Sequence, residues 1–88
     1  MDFRLSPNAE WEMTRRGIPP KLVQAVMDQP EQRLVDESRA GRWIYQSRLA
    51  FEDGKIYLVR VVVDEDEEPP AIVTAYRTCK IEKYWSVE

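Results

Sequence analysis

Histidine is absent from the 88-residue chain. It is the usual general acid or base at neutral pH and the commonest metal ligand in proteins. Any catalysis therefore has to use arginine, lysine, tyrosine, carboxylate or hydroxyl side chains. A zinc site would need the one cysteine together with carboxylates, which is a poor ligand set for that ion. We therefore expect no metal and no cofactor.

Cysteine pairs and long apolar runs are also missing. Cys79 is the single cysteine, which excludes an internal disulfide and favours a cytoplasmic protein. No apolar run approaches the ~18 residues of a membrane-spanning helix. Residues 1–30 lack the features of a signal peptide. We expect one domain over residues 1–88, with no membrane partner.

The net charge of −3 is unevenly distributed along the chain. Five consecutive acidic residues occupy positions 64–68, which we interpret as a solvated loop or, alternatively, as a segment that docks a basic one. Positions 39–63 instead carry five basic and two acidic residues. The overall acidic balance counts against a strongly cationic nucleic-acid-binding protein.

Two short helices are predicted near the N-terminus. Ser6 is a good N-cap, Pro7 suits the first helical position and Gly17 suits the position just past a helix, so the first helix spans about residues 7–16. The second begins at Pro19-Pro20 and stops near Asp28. Its apolar residues form one stripe, which consists of Leu22, Val23, Val26 and Met27.

Strands follow the two helices. Residues 42–51, 56–64 and 71–78 are rich in β-branched and aromatic side chains, and 33–38 forms a shorter candidate. The Asp53-Gly54 pair is a common hairpin turn. The order ααββββ predicts an α+β fold, with two N-terminal helices packed on one face of a three- to four-stranded antiparallel sheet. Strand 56–64 is apolar on both faces, which predicts a central position.

Arg60 interrupts an apolar face of that central strand. Burying an unpaired charge is costly, so Arg60 requires a carboxylate partner, an open cleft or an anionic ligand. Glu12 is the candidate carboxylate, and such a pair would fasten the first helix to the sheet. Breaking a buried pair by Arg60→Ala would then cost about 3–5 kcal/mol of unfolding free energy.

Four stretches occur in an order and spacing typical of one bacterial family. They are SPNAEWEMTRRGI, LVRVVVDED, AIVTAY and IEKYW. Over essentially its whole length the chain resembles a group of small domains similar to the RelE and BrnT ribonuclease toxins of toxin–antitoxin pairs. Asn8 stands where the family pattern has histidine, and Glu12 stands where it often has arginine.

The resemblance implies a RelE-like fold, metal-independent cleavage of RNA and a small antitoxin as protein partner. In the site that the resemblance implies, Arg16 and Arg60 would bind phosphate and Tyr76 would donate a proton. Lys80 and Lys83 would stabilise developing charge. Glu12 would serve as a base only if burial raised its pKa. The remaining candidates would bind substrate, and they are Asn8, Arg15, Thr74 and Tyr84.

Each of these residues also has a purely structural interpretation. Arg15 and Arg16 suit a helix C-terminus, Thr74 and Tyr76 suit a strand, and Asn8 suits backbone hydrogen bonding near a helix start. The alternative function is a catalytically inactive RelE-like domain. Such a domain would bind a protein partner, or a second copy as a homodimer, through an edge strand at 33–38 or 71–76.

Overall fold

A computed structural model describes residues 1–87 of the chain. This part of the chain forms three helices and five strands. In chain order they are β1 (Arg4–Leu5), α1 (Pro7–Arg15), α2 (Pro20–Asp28), β2 (Gln32–Val35), β3 (Arg42–Ala50), β4 (Ile56–Asp64), β5 (Ala71–Thr78) and α3 (Ile81–Tyr84). Within residues 1–87, no helix has the length and apolar character needed to cross a membrane.

The five strands form one mixed sheet in the order β1-β5-β4-β3-β2. β2, β3, β4 and β5 pair antiparallel as predicted, and β4 is central. β1 instead pairs parallel to β5, with Arg4 opposite Ala71. The prediction of a purely antiparallel sheet with three to four strands is therefore wrong. A two-residue strand is too short to produce the alternation from which strands are recognised.

The end of α1 is set by a glycine in the left-handed region. Gly17 has φ +64° and donates its N–H to the Thr14 carbonyl at 3.3 Å. Ile18 donates to the Met13 carbonyl at 2.9 Å, which completes the Schellman arrangement of hydrogen bonds. Met13 and Ile18 are both buried, as this motif favours. The chain therefore turns directly into α2 and leaves Arg16 at the end of α1.

The start of α1 is attached to β5. Ser6 caps the helix as predicted, since its Oγ accepts a hydrogen bond from the Ala9 amide at 3.0 Å. The same hydroxyl donates to the Val73 carbonyl at 2.9 Å, and the Asn8 amide donates to that carbonyl at 3.3 Å. The predicted edge at 71–76 is therefore partly covered, because β1 and the start of α1 lie beside it.

The hydrophobic core lies between the sheet and the two N-terminal helices. The predicted stripe of α2 faces it, with Val23, Val26 and Met27 buried. The whole cluster consists of Ala9, Met13, Ile18, Val23, Val26, Met27, Tyr45, Val59, Val61, Val63, Ile72 and Ala75. Successive strand residues alternate between faces, so Arg60 points away from this core. The second face of the sheet is contacted by the chain that follows β5.

The acidic run is bound to arginines of the same chain. The Asp64 carboxylate accepts from Arg42 Nε at 2.8 Å and from Arg42 Nη2 at 3.1 Å. Three further pairs are Glu65 with Arg33, Asp66 with Arg39, and Glu67 with Arg4. Asp66 and Glu68 are exposed, so the loop is partly solvated. The run also docks basic residues from β1, β2, β3 and the β2–β3 loop, as in the alternative interpretation.

We expect Asp64→Asn to lower the free energy of unfolding by about 1–3 kcal/mol at neutral pH, because Asp64 is buried and forms charged hydrogen bonds. Its hydrogen bonds with Arg42 hold the pKa of Asp64 below its ordinary value of 3.8. The stabilisation is therefore present above about pH 4 and is lost as the pH falls through the lower folded-state pKa. Urea unfolding as a function of pH measures both effects.

Asp66→Asn is the matched control. Asp66 is exposed and contacts Arg39 at 3.3 Å, so we expect a change within about 0.5 kcal/mol. Equal losses for the two variants would contradict the role given to Asp64. A loss that stays constant down to the acid limit would contradict its ionic origin.

Candidate functional site

Arg60 lies at the centre of the sheet face that the core does not use. It is opposite Gln46 on β3 and Tyr76 on β5. Its Nε donates to Gln46 Oε1 at 2.8 Å, and its Nη1 donates to Tyr76 Oη at 2.5 Å. The residue is 8% exposed. A guanidinium is thus held between two neutral side chains.

The predicted ion pair between Glu12 and Arg60 is wrong. No carboxylate oxygen of residues 1–87 lies within 4.0 Å of Arg60. Glu12 instead accepts from Arg15 Nε at 2.9 Å and Arg16 Nε at 2.8 Å. The two partners are three and four residues away on or beside the same helix, which is the spacing at which helical side chains meet. Arg60 is out of reach because it points to the opposite face of the sheet.

The environment of Glu12 does not suit a general base. Its hydrogen bond with Arg16 holds the pKa of Glu12 below the ordinary value of 4.5, and burial opposes this effect without overcoming it. The raised pKa that a base role required is therefore absent. Glu12 is a carboxylate that holds the two arginines at the end of α1.

Buried amides connect Arg60 to the C-terminal segment. Gln46 is fully buried, and its Nε2 donates to Gln32 Oε1 at 2.6 Å and to the Tyr84 carbonyl at 3.1 Å. Gln32 in turn donates to the Ser86 carbonyl at 2.7 Å and accepts from the Ser86 amide at 3.0 Å. This network satisfies Gln46 on both its oxygen and its nitrogen. It orients Arg60 without neutralising its charge.

Aromatic rings and further cations surround Arg60. Its guanidinium carbon lies 4.4 Å from the Tyr84 ring centroid, and the Tyr76 and Tyr84 centroids are 6.3 Å apart. Arg16 lies 5.9 Å from the Tyr76 ring and Lys83 lies 5.3 Å from the Tyr84 ring. The structure therefore brings five predicted site residues together. They are Arg16, Arg60, Tyr76, Lys83 and Tyr84, which we name the Arg60 cluster.

Asn8 and Lys80 are not part of the cluster. Asn8 contacts Val73 at the start of α1, about 12 Å along the helix axis from Arg16. Lys80 is exposed between β5 and α3. Its hydrogen bonds within residues 1–87 are made by its backbone, whose N–H donates to Thr78 Oγ1 at 3.1 Å and whose carbonyl accepts from the Lys83 amide at 3.2 Å. An imidazole at position 8 would therefore lie away from Arg60.

Thr74 and Arg15 flank the cluster. Thr74 lies two residues before Tyr76 on the same strand face, opposite Val62. Arg15 lies on the far side of Glu12, where its guanidinium carbon is 4.9 Å from the Trp11 ring centroid. Thr74 therefore continues the sheet surface, while Arg15 continues the cluster onto the outer face of α1.

Sequence analysis missed Gln46, Gln32 and Trp11. The signal for Gln46 was present, because a hairpin turning at Asp53 and Gly54 places Gln46 opposite Arg60. Gln32 and Trp11 carried no such signal, since their roles depend on the C-terminal segment and on Glu12. In residues 1–87, no group of three or more histidine, cysteine or acidic side chains is arranged to hold a metal ion.

Comparisons of the chain with protein-family models, curated proteins and solved structures find no significant match. The likeness to RelE and BrnT toxins therefore stays a prediction from the sequence motifs. The α+β architecture rests on the structure itself, and the chemistry of the Arg60 cluster rests on its own geometry.

We expect Gln46→Leu to lower the free energy of unfolding by about 2–3 kcal/mol, because a buried guanidinium and the Tyr84 carbonyl each lose a partner. Urea unfolding measures the change. Gln24→Leu is the control, since Gln24 is exposed on α2 and bonds Asp28 at the surface. Similar stability of the two variants would show that the amide network does not support Arg60.

Proposed function

We propose that the chain is a toxin of the RelE and BrnT kind that binds and cleaves RNA at the Arg60 cluster without a metal ion. The observation that supports this most directly is the state of Arg60. Its side chain is almost fully buried, yet its hydrogen-bond partners in the described chain are neutral. A buried cation without a carboxylate in direct contact can bind an anionic ligand.

Arg60 also retains hydrogen-bond donors for such a ligand. Two of the five N–H donors of its guanidinium are occupied, one on Nε and one on Nη1. Nη2 makes no hydrogen bond in residues 1–87, and no buried side-chain nitrogen or oxygen there lacks a partner. A guanidinium edge whose N–H groups have no partner within residues 1–87 suits a phosphate oxygen.

The other members of the cluster supply the remaining chemistry. Arg16 and Arg60 both lie within 6 Å of the Tyr76 ring centroid, at 5.9 and 5.7 Å, where both can offset charge on a phosphorane. Tyr76 Oη accepts from Arg60, so its own proton remains available to the leaving 5′-oxygen. Lys83 adds a cation, and Lys80 is the more distant helper. The lowered pKa of Glu12 makes it a weak base, so the proton of the attacking 2′-hydroxyl passes to water, and we expect cleavage to be slow.

The negative net charge does not describe the surroundings of Arg60. The acidic run is paired with arginines beyond the end of β4, and Asp64 lies four residues from Arg60, about 13 Å along the strand. The other two cations of the cluster are Arg16 at the C-terminal end of α1 and Lys83 of α3. An acidic protein can therefore present a local cationic site. A small antitoxin that covers this site in the cytoplasm is part of the proposal.

The test is cleavage of single-stranded RNA by the purified chain in the presence of EDTA. We expect Arg60→Ala to slow cleavage about 100-fold or more, as the loss of one charge-stabilising donor does in other enzymes. Tyr76→Phe should slow it by about 100-fold as well, because the proton donor is removed while the ring stays. New 5′ ends on gels measure the rate.

Arg4→Ala is the matched control, because Arg4 is an exposed arginine that pairs with Glu67 away from the cluster. Folded Arg60→Ala protein that cuts RNA as fast as wild type would overturn the proposal, as would complete inhibition by EDTA. Induced expression in bacteria adds a second readout, in which wild type arrests growth and Arg60→Ala does not. Asn8→His should match wild type, since position 8 lies away from Arg60.

A second candidate function is a non-catalytic domain that binds a strand of a partner or of a second copy. It is favoured by β2, whose outer edge pairs with no strand in the described chain and ends at Val35, 59% exposed. Open edges of this kind accept added strands.

For this candidate, sedimentation should detect a dimer that Val35→Lys dissociates, because a charge on an edge strand opposes pairing. Val87→Lys is the control, as Val87 is the same residue type and is also exposed, at 88%, but lies outside β2. If the wild type is monomeric and does not cleave RNA, the strand added at the β2 edge would belong to a different protein. Equal dimerisation of both variants would exclude β2 as the dimer interface.

A further inference from the structure

Trp11 is exposed on the outer face of α1. It is 61% exposed, whereas the buried side of the helix is formed by Ala9, Glu12 and Met13. The ring makes no contribution to the core cluster. Its close neighbour is Arg15, whose guanidinium carbon lies 4.9 Å from the ring centroid. An exposed indole beside a cation is thus held in place on a rigid helix.

Glu12 links this pair to the Arg60 cluster. One carboxylate oxygen accepts from Arg15 Nε at 2.9 Å and the other accepts from Arg16 Nε at 2.8 Å. Arg16 then lies 5.9 Å from the Tyr76 ring. Both guanidinium groups are therefore oriented by a single carboxylate, and each also lies within 6 Å of an aromatic ring centroid.

Rings and guanidinium groups form a continuous series from α1 to α3 as a result. Tyr76 accepts from Arg60, and Arg60 lies 4.4 Å from the Tyr84 ring. We name this surface the aromatic–arginine row. Its members are Trp11, Arg15, Arg16, Tyr76, Arg60 and Tyr84. Adjacent contacts of 2.5–5.9 Å connect them, with Glu12 bridging the two arginines of α1.

We propose that the aromatic–arginine row is a track for single-stranded RNA, along which Trp11 stacks a base several nucleotides from the phosphate at Arg60. The inference rests on the proposed function and extends its site onto α1. Single strands are bound by this combination, because rings stack bases and cations follow the phosphates. The row contains three arginines and one carboxylate, and that carboxylate is already bound to two of them. A negatively charged chain therefore fits the row.

The test is fluorescence anisotropy with labelled 2′-O-methyl oligouridine, which binds but cannot undergo internal cleavage. A dinucleotide covers the Arg60 end alone, while an oligomer of about eight nucleotides covers the whole row. We expect Trp11→Ala to lower the affinity for the oligomer about tenfold and to leave the affinity for the dinucleotide unchanged. Trp11→Phe should retain most of the affinity. Arg15→Ala should reduce the slope of log affinity against log salt concentration by about 1, which corresponds to one lost phosphate contact.

Ile56→Ala is the control for loss of an exposed apolar side chain, since Ile56 is 51% exposed at the start of β4. Unchanged oligomer affinity in Trp11→Ala would overturn the track. If Arg60→Ala nevertheless lost RNA binding, the proposed function would stand without the track. Absence of binding by wild type to either ligand would overturn both. Unchanged RNA affinity with weakened self-association in Trp11→Ala would assign Trp11 to a protein interface and also overturn the track.

Discussion

The hydrogen bonds of Arg60 to Gln46 and Tyr76 determine how the uncovered face of the sheet is organised. A guanidinium in the central strand cannot be left without partners, because desolvating an unpaired charge is costly. Neutral oxygens on both neighbouring strands satisfy it, with Gln46 Oε1 at 2.8 Å and Tyr76 Oη at 2.5 Å. Gln46 then directs its own N–H groups at Gln32 and the Tyr84 backbone, which places the C-terminal segment over this face.

Charge in this small domain is separated into two regions of different character. At the C-terminal end of β4 and in the loop after it, carboxylates and arginines pair closely, and the hydrogen bonds of Arg42 lower the pKa of Asp64. On the opposite face of the sheet from the core, Arg60 instead faces aromatic rings and a neutral amide. The same residue type thus has a structural role in one region and an available charge in the other. Net charge averages over both and describes neither.

Local signals predicted the elements well and their partners less well. Ser6 and Gly17 mark the two ends of α1, and the stripe of Val23, Val26 and Met27 shows which face of α2 is buried. The apolar strand 56–64 is central, as its sequence predicted. β1 and α3 were missed because they contain two and four residues, too few to show a period. The pairing of Glu12 with Arg60 failed because helical neighbours three and four residues away reach Glu12 first.

The candidate site divides in the same way. The sequence by itself determined that an arginine would interrupt an apolar strand, that no histidine would assist it, and that a hairpin at Asp53-Gly54 would pair 42–51 with 56–64. Only the tertiary structure decided that Tyr76 and Tyr84 flank Arg60, that Asn8 lies apart from it, and that Glu12 holds Arg15 and Arg16. The reason is physical: cap, turn and periodicity signals act over a few residues, whereas these contacts join segments far apart in the chain. Such contacts depend on strand order and on the path of the C-terminal segment.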